Sequence, residues 1–164
     1  MKKEILELKS MEIVGLQTRT NNLNETNPLT AKISDLVLNK YFGGGSYNLI
    51  QERSEPGVTY CVYSNYENGI WGDYDYLVGE QVNSLSLPQG FKAITIEPGK
   101  YVKLTTEPGM MPQVLISAWQ KIWQMTPEDF SGVRNFRTDF EKYSQPGPDF
   151  DPTQVVVEIY LGID

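Results

Sequence analysis

Residues 136–143 read FRTDFEKY, and from Arg137 onward every second side chain is polar: Arg137, Asp139, Glu141 and Tyr143. Side chains of an extended chain alternate between two faces. The spacing therefore gathers two acids, a base and a phenol on one face, and leaves Phe136 and Phe140 on the other. Acids on a strand face are ordinarily solvated. A carboxylate shielded from water instead pairs with a cation at low dielectric, or holds a proton and acts as a general acid or base. The pattern recurs. In 74–82, Tyr74, Tyr76, Val78 and Glu80 share a face; in 154–163, Val156, Glu158 and Tyr160 lie opposite the aliphatic row Val155, Val157, Ile159 and Leu161. "YLVGEQV" even sets Glu80 where "VVVEIYL" has Glu158. Together with "VTYCVYSNY" (58–66) and the pair Trp119 and Trp123, these rows describe an aromatic cup with one or two carboxylates at its base. Ring faces attract positive charge and stack on flat ligands, so such a cup suits an organic cation.

The totals narrow the chemistry. There is no histidine among 164 residues, which removes the commonest general base, most zinc sites and Ser-His-Asp or Cys-His catalysis. Acid–base work would fall to Asp, Glu, Tyr or Lys. Cys61 is the single cysteine, has no internal disulfide partner, and sits in an apolar strand as a small hydrophobe. The net charge of -7 argues against nucleic-acid binding, which needs a basic patch. "MKKEILELKS" lacks the apolar core of a secretory signal, and no apolar run reaches the ~20 residues that cross a bilayer, so a cytoplasmic location is expected. "GGGS" (43–46) lacks the Lys-Ser/Thr ending of a phosphate loop, and "DFDP" lacks calcium-loop spacing; no metal or cofactor is expected.

The elements that must position these residues follow from pattern. "EIVGLQTRT" (12–20) reads as a strand, and 29–42 as a helix with Leu29, Ile33, Leu36, Val37 and Tyr41 on one stripe, ended by the glycines. Residues 58–66 and 74–82 read as a hairpin; 92–96 and 100–106 flank the tight turn EPGK; 111–125 is a second helix with Leu115, Ala118, Trp119 and Ile122 in its stripe. Thr126 caps a short extra turn, and strands 134–143 and 154–163 close the chain. Each half thus runs strand, helix, strand, strand. The expected fold class is α+β: one domain over 1–164 with pseudo-repeat halves of about 1–90 and 91–164, an antiparallel sheet, two main helices and a cleft between the halves.

The segments "EIVGL", "GVTYCVYSNYENGIWGDYDYLVGEQV", "PGKYVKLTTEPGMMPQVLISAWQKIWQM", "RTDFEKY" and "VVVEIYLGI" together resemble the GyrI-like, AraC-type effector-binding domains, in particular the stand-alone branch similar to integron cassette proteins. The resemblance covers nearly the whole chain. It implies a small-molecule, multidrug-type binding protein that takes cationic or aromatic ligands into a cleft. The strand acid Glu141 would be the pocket carboxylate and Glu158 a second candidate, with Tyr60, Tyr63, Tyr76, Tyr101 and Trp119 as wall residues. Relatives often place an aromatic in the first helix, where Leu36 and Val37 stand here. Many relatives are fused to a DNA-binding helix-turn-helix. Only about ten residues precede the first expected strand here, so no DNA-reading module is expected, and the chain would act as a drug-sequestering protein, a partner-binding inhibitor or a sensor for a separate regulator. Two alternatives stay open: hydrolysis of cyclopropane-type alkylating compounds, with Glu141 as base and Tyr143 as hydrogen-bond donor, and inhibition of a DNA-handling enzyme through the acidic surface.

Overall fold

A computed structural model describes residues 1–164. Eight antiparallel strands form one sheet: β1 (Lys2–Leu8), β2 (Met11–Thr20), β3 (Thr59–Ser64), β4 (Tyr74–Gln81), β5 (Lys92–Ile96), β6 (Gly99–Thr105), β7 (Arg134–Tyr143) and β8 (Glu158–Ile163). Their spatial order is β1-β6-β8-β7-β3-β4-β2-β5. The class is α+β. The order is unchanged when each of β1–β4 is exchanged with its counterpart in β5–β8. Each half-chain runs strand, strand, helix, strand, strand, and each lends its first strand to the far edge of the other half. No helix is long and apolar enough to cross a membrane.

Residues 2–8 correct the sequence reading, which placed no strand there. They form an edge strand paired with β6, with Leu6 and Leu8 packed inward against a buried cluster. That pairing bends the sheet. Strands β1 and β2 lie six positions apart, about 29 Å in a flat sheet at ~4.8 Å per strand. Yet only Lys9 and Ser10 join them, a span of at most ~11 Å across three Cα steps. The link between β5 and β6 is equally short. Leu8 pairs with Gly99 and Met11 with Ile96, so the two links lie side by side and hold the edges together. The sheet must curl. Its inner face carries Ile13, Tyr60, Val62, Leu77, Ile96, Tyr101, Phe140 and Tyr160, drawn from every strand but β1.

The helices cover the outer face. Helix α1 is one turn (Asn22–Glu25). Residues 35–42 wind as a π-helix, in which Gly43 N–H donates to Leu38 C=O at 2.9 Å. The helix expected over 29–42 is therefore shorter and wider. Thr30 and Ala31 donate their amides to Asn27 in a turn, and the Glu25 carboxylate accepts from the amides of Lys32 and Ile33, fixing where winding begins. Leu29 is exposed, and the buried pair Leu36 and Tyr41 is five residues apart, the step of the π-helix hydrogen bond. Helix α2 (Gln113–Ile122) buries Ala118 and Ile122. Helix α3 (Pro127–Phe130) opens with the expected Thr126 cap, whose amide donates to Asp129 at 2.8 Å. The final ladder begins at Glu158 instead of 154, because Val155 pairs with Gly109 and Val157 receives the Thr106 amide.

Gly15 and Gly79 face each other across β2 and β4. A Cβ on Gly79 would lie 2.0 Å from the Val14 carbonyl oxygen, and one on Gly15 would lie 1.9 Å from that of Val78. Neither obstacle can rotate away. Gly79→Ala should therefore cost about 2–3 kcal/mol, at the upper end of overpacking penalties, while Gly147→Ala, with nothing within 4 Å, should be nearly neutral. Urea denaturation of the two variants checks this.

Candidate functional site

Glu141 stands on β7 in the middle of the sheet, flanked in register by Cys61 of β3 and Ile159 of β8. It is 1% exposed. Three neutral groups hold its carboxylate. Tyr63 and Trp119 donate to Oε2, the indole at 2.9 Å, and Tyr143 donates to Oε1 at 2.7 Å. Trp119 reaches down from α2, while Tyr63 and Tyr143 come from the sheet. Burial pushes the Glu141 carboxyl above its usual range, and the bonds from Tyr143, Tyr63 and Trp119 pull the other way without cancelling it.

The neighbouring acids differ in one respect. Asp139 is paired with Arg134, Glu80 with Arg53 at 3.2 Å and Glu158 with Lys103 at 2.8 Å. Glu141 has no lysine or arginine within ion-pair distance. It is a buried acid without an internal cation.

Aromatic rings surround it. Tyr63 lies 5.0 Å from Trp119, 5.1 Å from Tyr76 and 5.4 Å from Tyr74, centroid to centroid. Leu36 and Val37 of the π-helix join the same cluster, where relatives were expected to carry an aromatic. Of the residues singled out in the sequence, Glu141, Tyr143, Tyr63, Tyr76 and Trp119 come together. Tyr60, Tyr101 and Glu158 do not. Tyr60 pairs with Lys142, one step out of phase with Glu141, and packs inside the curl against Phe140 with centroids 5.9 Å apart. Tyr101 packs on the same ring and donates to the Glu97 carbonyl at 2.6 Å. Glu158 precedes Ile159, the residue that faces Glu141, so it points away from the cup toward Lys103 and Tyr160. Glu80 and Glu158 are thus not equivalent: Glu80 lies on the helix-covered face and accepts from the Gly57 amide at 3.1 Å. Sequence reasoning had passed over Tyr66 and Arg134. Nothing in period two pointed to Arg134, which arrives through a bulge in β7.

A cavity of about 350 Å³ opens beside α2, between Thr106, Gly109, Gln113 and Lys121, and does not reach Glu141. Half-buried Trp119 and Tyr143 close over the carboxylate.

Residues 4–163 match the Cass2 family, described as integron-associated effector binding protein. The chain belongs to this family. Among solved structures, an integron cassette protein from the mobile metagenome of Vibrio cholerae is 30% identical, with TM-score 0.73 over 99% of this chain and 95% of that one. SAV2435, solved bound to tetraphenylphosphonium, is 16% identical with TM-score 0.74, over 100% of this chain and 94% of that one. The C-terminal domain of EcmrR is 12% identical with TM-score 0.59, over 99% and 97%. At such identities the last two likenesses speak for the fold alone. No curated protein matches the chain.

Burial of Glu141 links this candidate site to stability. A carboxyl whose folded pKa is raised stabilises the fold fully below its ordinary value of 4.5, and that contribution is lost as pH rises through the folded value. Glu141→Gln preserves shape: its amide oxygen can accept from Tyr63 and Trp119 while its nitrogen donates to the Tyr143 oxygen. The variant should melt above the native protein at pH 7, and the two should converge below about pH 4.5. Thermal melts across pH read this directly; a lower melting point at pH 7 would mean that the lost bonds outweigh burial.

Proposed function

We propose that the protein binds lipophilic organic cations, with Glu141 as counter-charge and Tyr63, Tyr76, Trp119 and Tyr143 as aromatic walls. One observation carries this: Glu141 is buried, while the acids around it each have a cation of their own. At an effective dielectric of 20, a cation 4 Å from a carboxylate gains roughly 4 kcal/mol. A ligand would use that energy to displace Trp119 and Tyr143, whose neutral donors occupy the carboxylate in its absence. The tetraphenylphosphonium complex of SAV2435, on the same fold, supports the ligand class. Occupancy of the site would be read by a separate transcription regulator or another protein partner.

Hydrolysis fits the geometry less well. Tyr63, Trp119 and Tyr143 all donate to the Glu141 carboxylate, so a water would have to compete with these side-chain donors to be activated there. Burial pushes the adjacent Cys61 thiol well above its usual range, so it is a poor nucleophile.

Calorimetry separates charge from shape. Glu141→Gln should weaken tetraphenylphosphonium binding by about 2–4 kcal/mol, the scale of a broken buried pair, and leave neutral triphenylphosphine oxide within twofold, about 0.4 kcal/mol. Equal losses for both would remove charge pairing from the mechanism. Trp119→Ala, which deletes a wall, should weaken both ligands by about 1–2 kcal/mol.

A further inference from the structure

Two carboxylates stand on the outer face of β7, two residues and about 7 Å apart along the strand: Glu141, without a cation, and Asp139, with one. Asp139 is fully buried. Its Oδ1 accepts from the Gly162 amide at 2.9 Å, and its Oδ2 accepts from Tyr66 at 2.8 Å and from Arg134 Nη2. The Arg134 guanidinium lies 4.2 Å over the Phe136 ring. Carboxylate, ring face and cation are thus already assembled there, with the chain supplying the cation. A run of rings joins this cage to Glu141: Trp119 to Tyr63 at 5.0 Å, Tyr63 to Tyr74 at 5.4 Å, Tyr74 to Tyr66 at 5.8 Å, and Tyr66 to Phe136 at 5.4 Å.

The chain accepts local costs to put Arg134 there. The ladder to β8 is irregular between Arg134 and Asp139, and Phe136 in that bulge has φ 53, a region that bulky residues avoid. The Arg134 Nε is buried without an acceptor, so its fork is not used in full. What the arrangement secures is a positive charge beside Asp139.

We infer that Arg134 is a tethered counter-cation that holds the cleft to one net negative charge, so that a second positive charge on a ligand gains no partner there. Without Arg134, the Asp139 cage becomes a second cation subsite for the far end of a dicationic aromatic ligand. The inference rests on the Glu141 reading above.

Benzyltrimethylammonium and p-xylylene-bis(trimethylammonium) form a matched pair of probes for calorimetry. The native protein should bind the dication no more than about twofold tighter than the monocation, the gain from having two equivalent ends. Arg134→Met should raise the dication-to-monocation affinity ratio about tenfold or more, the scale of an added charge contact at this separation. Adding Asp139→Asn should return the ratio to the native value. A ratio that Arg134→Met leaves unchanged overturns the inference. Should Arg134→Met fail to fold, Asp139→Asn alone decides: it leaves Arg134 opposing the ligand, so benzyltrimethylammonium should weaken about tenfold while neutral triphenylphosphine oxide does not. Equal loss for both, or none, makes the pair purely structural. Glu141→Gln is measured alongside. If it leaves monocation binding intact, the Glu141 reading fails; if it weakens binding while the Arg134 and Asp139 variants leave selectivity unmoved, this inference alone fails.

Discussion

Strands β3 and β7 pair across the middle of the sheet, with Cys61 opposite Glu141 and Tyr63 opposite Asp139. This is the central one of three ladders that join the two half-chains. It also decides which side chains meet, because a slip of one residue would send every one of them to the other face. In the observed register, Tyr63 reaches Glu141 and Tyr66 reaches Asp139. Helix α2 from the second half then lays Trp119 over the seam, and the π-helix from the first half brings Leu36 and Val37 beside it.

The two faces of the sheet are packed differently. Inside the curl, Phe140 stacks on Tyr160 with centroids 4.4 Å apart, and Tyr60 and Tyr101 pack around them. That core is held closed by the two short links at the sheet edges. Outside, beneath the helices, a carboxylate is buried without a cation. Such a group is costly, and a chain selected for stability alone would have paired or replaced it. A buried acid without a cation beside three paired ones is what points to function.

Much of the fold could be read from residue patterns. Strands 92–96 and 134–143, helix α2 and the Thr126 cap stand where period and capping chemistry placed them. Several elements escaped, β1 and the π-helix among them. β1 is an edge strand whose alternation involves few apolar residues, and its partner β6 lies about a hundred residues away. The π-helix has the composition of an α-helix; its five-residue bonding step appears only in the backbone, where Gly43 N–H donates to Leu38 C=O.

The site divides in the same way. Period two along one strand was enough to put Glu141 with Tyr143 and away from Phe140, and Tyr74 with Tyr76, because alternation is a local property of extended backbone. It could not say how the strands align. Glu158 resembled Glu80 in sequence, yet they occupy opposite faces, and Tyr60 and Tyr63 of one strand went to different cores. Register and curl come from pairing between distant segments, and only the tertiary structure determines them. The same holds for charge. The residues alone counted acids and bases, but which acid kept a cation and which did not depends on a bulge that brings Arg134 to Asp139 and leaves Glu141 alone.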